Sequence, residues 1–226
     1  MDNYNRNVLL VNEEDKIVGI GKALKTHFGR HLMLHRAFSV FLFNSRNELL
    51  VQRRADEKLL FPGRWTNSVC SHPFVNDLSF TDPILDVKVH AIKRIEHELG
   101  IRGISIDNLK FVSRVVYKAA PTEKYGKVLL GNPTTQKIVR FSDPESIHDE
   151  PYSSSDFYEW EVDYVILCVS DASPCPNPKE VSETKYVSKE EFQKMIAEDF
   201  VSPWLDEISK LIDVFDIVKL CFPTDF

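Results

Sequence analysis

The stretch TNSVCSHPF, residues 66–74, sets Cys70 two positions before His72, and three more histidines, His27, His31 and His35, crowd one short segment upstream. A neutral imidazole is the commonest side-chain metal ligand, although a single partly buried histidine is often satisfied by a backbone carbonyl instead. In YEWEVDY, Glu159 and Glu161 alternate with Trp160, so on a strand both carboxylates point to one face. Two such acids repel unless a cation lies between them; the ordinary alternative is a half-exposed edge strand, which shows the same alternation. Three imidazoles and two carboxylates together suit an octahedral nitrogen and oxygen site for a first-row metal or magnesium. Cys70 adds proton chemistry, since a thiol near neutral pH is mostly protonated and can give a proton as well as take one. Cys168, set in the apolar run VILC, and Cys221 read as packing cysteines.

A set of cations completes the inventory: Arg53, Arg54 and Lys58 before the FPGRW segment, Lys22 and Lys25 before the histidines, and Arg94. Arginine presents a fork that matches phosphate oxygens, and lysine supplies a point charge. Taken one at a time, most of these read equally well as solvated surface charge. Glu98 lies four residues after Arg94, on the same face of a helix, where the pair can be no more than a helix salt bridge.

These residues need elements to position them. NVLLV, NEEDK and IVGI predict a hairpin, and AFSVFLF with ELLVQRR around NSRN predicts a second. TDPILDVKVHAIKRIEHELGI predicts a helix: Asp82 can cap it, Pro83 suits its first position, Gly100 can end it, and Ile84, Val87, Ala91 and Ile95 share one face. Strands follow over 108–120 and 157–170, then ETKYVS. Between the first two lies a polar segment, about 121–156, which reads as a flexible insertion in which KVLL and KIVRF could form a small hairpin. Ser188 and Glu191 predict a capping box for a helix over 189–199, and Ser202 with Pro203 starts a last helix that runs through Phe215. Strands bunched in hairpins with helices mid-chain and at the end predict an α/β (α+β) fold, a mixed sheet sandwiched between helices, in one domain over 1–226.

Composition excludes some classes of function. The chain of 226 residues carries a net charge of −6 without a basic run, which argues against tracking a nucleic acid backbone. Its 43% hydrophobic content and 15 Phe supply a large core. No apolar run is long enough to cross a bilayer, no secretory signal opens the chain, and the four cysteines show no scaffold spacing, so a reducing, cytoplasmic setting is expected.

LHRAFSVFLFN, RRADEKLLFPGRWTNSVCSHP, RIEHELGI, YEWEVDY and SPW closely resemble the type I isopentenyl-diphosphate Delta-isomerases, members of the Nudix fold superfamily. The likeness runs from about residue 8 to 204, apart from 121–156. RIEHELGI is a degraded Nudix helix in which Arg94 and His97 stand where hydrolases usually carry glutamate, which weakens the competing reading, a Nudix hydrolase of a nucleoside diphosphate derivative. The resemblance implies metal-dependent interconversion of isopentenyl and dimethylallyl diphosphate, with Cys70 and Glu161 as the proton-transfer pair. It implies Tyr117 as a hydrogen-bond partner of the acid and Trp204 as an aromatic face for a carbocation. The implied metal ligands are His27, His35, His72, Glu159 and Glu161, for manganese, zinc or magnesium, with His31 as an alternative to His27. A second ion, Mg²⁺, would bridge Glu98 and the diphosphate. Arg54, Lys58 and Arg94 match the diphosphate-binding positions; Lys22 substitutes for a family lysine where this chain has Ala23. The implied partner is a small isoprenoid diphosphate, with no nucleic acid and no membrane, and the protein is expected as a monomer, with a dimer as the alternative.

Overall fold

The computed structural model describes residues 5–58, 60–119, 157–198 and 200–225. The insertion expected over 121–156, with its KVLL and KIVRF hairpin, lies outside the described residues. The expected first hairpin forms: β1 (Asn7–Val11) pairs antiparallel with β2 (Ile17–Lys22), the turn being closed by Asp15 in left-handed backbone at φ 63°. A short helix α1 (Ala23–His27) and a turn over Gly29–His31 follow, neither of which was expected.

The middle of the sheet is β3 (His35–Phe43), buried along its whole length. It runs parallel to β8 (Glu159–Val169), in register from His35 opposite Glu161 to Phe43 opposite Val169. β8 in turn pairs antiparallel with β7 (Leu109–Ala119), which sets Tyr117 opposite Glu161. The second expected hairpin is corrected in part. β3 and β4 (Leu49–Arg54) share one ladder pair, Phe43 with Leu49, and then diverge, β4 pairing with β5 (Trp65–Thr66) and β9 (Val181–Val187). β3 takes β6 (Val69–Ser71) instead, so Cys70 sits on a short strand opposite Ser39 and not in a polar loop.

Helix α2 (Pro83–Leu99) has the expected ends: the Asp82 carboxylate accepts from Ile84 N–H, and Gly100 closes it at φ 65°. A side chain at Gly100 would also meet the carbonyl of Cys175 at 2.5 Å, so glycine is required there twice over. Val87, Ala91, Ile95 and Leu99 bury one face of α2 against Phe38, Val40, Leu42, Val162 and Ile166 of the sheet. The opposite face of the sheet, with Phe41, Phe43, Val51, Val165 and Leu167, packs under three C-terminal helices. The first, α3 (Lys189–Ala197), carries the Ser188/Glu191 capping box. The single last helix expected through Phe215 is corrected to two, α4 (Pro203–Leu211) and α5 (Val214–Cys221). Ile212 is extended, and Asp213 recaps the chain by accepting from Phe215 and Asp216 N–H, so Leu211 faces solvent, 61% exposed. The result is the expected mixed sheet between helices. Among the described residues no helix is long and apolar enough to cross a membrane.

Candidate functional site

Cross-strand partners share a face, so the register of β7, β8 and β3 puts Tyr117, Glu161 and His35 in one row on the face under the C-terminal helices. Glu159 and Asp163, two residues to either side of Glu161, stand on the same face, and all three carboxyls are buried. The alternative of a half-exposed strand therefore fails: β8 is an inner strand. His27, at the end of α1, and His72, just beyond β6, complete the group.

Ligand atoms of His27, His35, His72 and Glu161 all lie within 4.8 Å of one another. His72 Nε2 is 2.9 Å and His35 Nε2 3.3 Å from Glu161 Oε1, and the two nitrogens face each other at 3.2 Å. His35 Nδ1 donates to the Met33 carbonyl at 2.8 Å, which leaves Nε2 as a lone pair. The lone pair of His35 Nε2, the rings of His27 and His72 and the Glu161 carboxylate converge on one spot, a donor set that fits a divalent metal. Glu159 stands beside this group, Oε2 being 3.1 Å from His27 Nδ1, which also meets the Tyr158 carbonyl at 3.1 Å. His31 is exposed and packs beside Phe28, so it is His27 that joins the cluster.

Burial sets the proton affinities. It pushes His27 and His72 below the usual imidazole range, partly opposed by Glu161, and so favours the neutral rings a metal needs. Burial, with Glu161 alongside, holds the Glu159 carboxyl well above its ordinary value; Glu161, despite its own burial, is pulled well below by the His35 and His72 rings beside it. The phenol of Tyr117, raised by burial and the adjacent carboxylates, stays protonated and donates to Glu161 Oε2. Burial raises the Cys70 thiol, Arg54 opposing and Glu98, Glu161 and Asp163 adding to it, so Cys70 rests as a thiol. Asp163 was missed, although it continues the period-two run of acids. One of its oxygens accepts from Ser39 Oγ at 2.8 Å, and the other has no hydrogen-bond partner among the described residues.

The expected cations divide into two groups. Arg54 donates to the carbonyls of Leu60 (2.7 Å from Nη2) and Phe61 (3.1 Å from Nε) and lies over the Trp204 ring at 5.1 Å. Phe61, in left-handed backbone at φ 47°, packs edge-on against that ring. Trp204 is buried and its indole N–H donates to Asn67 Oδ1 at 3.0 Å, while Asn67 Nδ2 holds the carbonyls of Val40 and Val69. Asn67, also missed, thus ties the tryptophan to β6, which carries Cys70, and to its neighbour β3. Arg94 and Lys58 form the second group: Arg94 pairs with Glu98, whose other oxygen accepts from Gln52 Nε2 at 2.8 Å. Lys58 meets Glu180 at 2.5 Å. Glu180 is pushed up by burial but drawn down to about 2 by Lys58 and Arg94 beside it. Lys22 is exposed and donates to the Asn5 carbonyl at 3.0 Å; none of its described contacts reaches the cluster.

Fold and cluster define the class, a mixed-sheet protein with a buried histidine and carboxylate group able to hold a divalent metal close to a thiol. No family model matches the chain. It is 31% identical to the chloroplastic isopentenyl-diphosphate Delta-isomerase II of Arabidopsis thaliana, covering 92% of this chain and 72% of that one. It is 30% identical to isopentenyl-diphosphate Delta-isomerase 1 of Mus musculus, covering 94% and 89% respectively. Isopentenyl-diphosphate Delta-isomerase II of Clarkia breweri is 31% identical over 94% of this chain and 74% of its own. Among solved structures, DR0079 from Deinococcus radiodurans superposes with a TM-score of 0.53 at 19% identity, covering 96% of this chain and 99% of that one, and so shares the fold. The chain belongs to the isopentenyl-diphosphate Delta-isomerase family.

Proposed function

We propose that the chain interconverts isopentenyl and dimethylallyl diphosphate by adding a proton at the terminal alkene carbon and removing one from the neighbouring methylene. The observation that carries the reading is the row of Tyr117, Glu161 and His35 across three strands, with His72 closing on the same carboxylate. Cys70 and Glu161 form the proton-transfer pair, one adding the proton and the other removing its counterpart. The double bond moves with no net change in charge or composition. Positioned groups of this kind contribute roughly 10²–10⁴ in rate. Tyr117 fixes the orientation of the Glu161 carboxyl through Oε2, and burial beneath the C-terminal helices keeps water from the cationic intermediate. Trp204, buried and anchored through Asn67, offers its face to that charge, an attraction of about 2 kcal/mol when desolvated.

A divalent ion held by His27, His35, His72, Glu159 and Glu161 would supply fixed positive charge that orients Glu161 and lowers its proton affinity. Mg²⁺ at Glu98 would neutralise part of the diphosphate, whose remaining charge falls to Lys58, Arg94 and Arg54. All four cysteines are free, which supports a reducing, cytoplasmic setting. Incubation with isopentenyl diphosphate, Mg²⁺ and Mn²⁺ in D₂O should give dimethylallyl diphosphate labelled in the new methyl group. Phosphate release with an unlabelled carbon skeleton would instead make the chain a hydrolase.

A further inference from the structure

Glu180 stands at the turn before β9, outside the sequence motifs that mark the site but in contact with two of them. Its Oε2 lies 2.5 Å from Lys58 Nζ and 3.6 Å from Arg94 Nη2, and its Oε1 lies 3.3 Å from His97 Nε2. Its main-chain carbonyl accepts from Ala55 N–H at 3.0 Å, and Lys58 N–H in turn donates to the Ala55 carbonyl at 3.1 Å. The loop that carries Lys58 is therefore pinned to Glu180 by backbone bonds, whatever the carboxylate does. The side chains of Lys58, Arg94 and Glu180 are 18%, 12% and 15% exposed, so the three charges meet largely out of water.

We propose that Glu180 is an internal counter-ion that competes with the diphosphate for Lys58 and Arg94 and so sets how tightly substrate is held and product released. This rests on the reading of Lys58 and Arg94 as diphosphate-binding residues. The two carboxylates of the cluster are not equivalent. Glu98 is held on one oxygen by Arg94 and on the other by the neutral amide of Gln52, so it keeps a partner when an anion arrives. Glu180 is held by the two cations an anion would take and by His97, which is half exposed.

Removing the carboxylate has two opposed consequences. Lys58 and Arg94 lose a partner that orders them, which weakens binding; they also lose a negative charge that the incoming diphosphate must face, which strengthens it. Unit charges this close in a partly dry setting interact more strongly than the freedom of one long side chain costs. The backbone bond to Ala55 moreover keeps the lysine loop in place. The charge effect wins, and a neutral isostere should bind anions more tightly.

The test is calorimetric titration of the full-length, metal-loaded protein with inorganic pyrophosphate and Mg²⁺, in wild type and Glu180→Gln. The Kd should fall about tenfold in Glu180→Gln, and the KM for isopentenyl diphosphate should fall with it, the change lying on KM more than on kcat. Glu180→Asp, which draws the charge back by one methylene, should give a smaller fall in the same direction and serves if the glutamine variant folds poorly. Unchanged or weaker pyrophosphate binding in the folded variants overturns the counter-ion. A wild type that binds no pyrophosphate removes the premise about Lys58 and Arg94 as well, whereas a wild type that binds it normally beside unaltered variants removes the counter-ion alone.

Discussion

Replacing Tyr117 with phenylalanine deletes one oxygen from the row that carries the site. Among the described residues, Glu161 Oε2 accepts only from this phenol, while Oε1 faces His35 and His72. The substitution thus leaves a buried carboxylate oxygen without its donor, at a cost of roughly 1–3 kcal/mol to the folded state. For a chain of this length that corresponds to a fall in Tm of roughly 2–12 °C. If the hydroxyl also orients Glu161 for proton transfer, losing a charge-assisted bond of about 1.5–3 kcal/mol should lower kcat roughly 10–100-fold. Metal content should hold, because the histidines meet the other oxygen, and KM should hold, because the phenol does not touch the cations assigned to the diphosphate. The assay is steady-state turnover of isopentenyl diphosphate with metal analysis and a thermal melt on the same samples. A kcat within about twofold of wild type, alongside a lowered Tm, would refute the orienting role and leave Tyr117 a packing residue. A parallel loss of metal and activity would also refute it.

Cys70→Ala should abolish isomerisation while metal content and melting temperature stay near wild type; near-normal turnover would remove Cys70 from the chemistry. Glu161→Gln should cost more activity than metal, since an amide oxygen can still coordinate but cannot carry the proton, and losses in strict proportion would point to a ligand role alone. Chelation should lower both turnover and Tm, because a metal bound only by the folded cluster stabilises it by mass action; an unchanged melt in chelator would count against a resident ion. A pH dependence should come from His90, buried with Nε2 accepting from Phe74 N–H at 3.2 Å and Nδ1 donating to the Asp86 carbonyl at 2.7 Å. Burial lowers its pKa below 6.5, so the unfolded chain binds the proton first and stability is lost as pH falls through the unfolded value towards the folded one. Urea midpoints between pH 7.5 and 5 should show that loss, reduced in His90→Gln, whose amide can accept from Phe74 without titrating; an identical slope in the variant would exonerate His90.

Much of this was legible in the residues themselves. The helix over 83–99 was readable because its cap, its first-turn proline and its closing glycine are local devices whose partners lie within a turn. The side-by-side placement of Glu159 and Glu161 followed from strand periodicity, and the same periodicity marked Asp163 for a reader who carried it two residues further. The break between α4 and α5 also had a local sign, Asp213 as a cap, outweighed by the apolar spacing that runs across it. Other features depended on contacts distant in sequence. β6 is three residues long, too short for any period to show, and it is a strand because β3 leaves an edge for Cys70 to pair beside Ser39. The choice of His27 over His31 turned on which ring α1 aims inward. Glu180 had no sequence signal at all, because a charge in a turn carries no periodicity and its importance lies in meeting Lys58 and Arg94. The sequence by itself determined which side chains could ligate, donate or accept and which face of each element they occupy, since those depend on residue type and backbone period. The parallel register of β3 and β8 decided that His35 meets Glu161, because strand pairing across a long stretch of chain is selected by the fit of two buried faces and not by either strand alone.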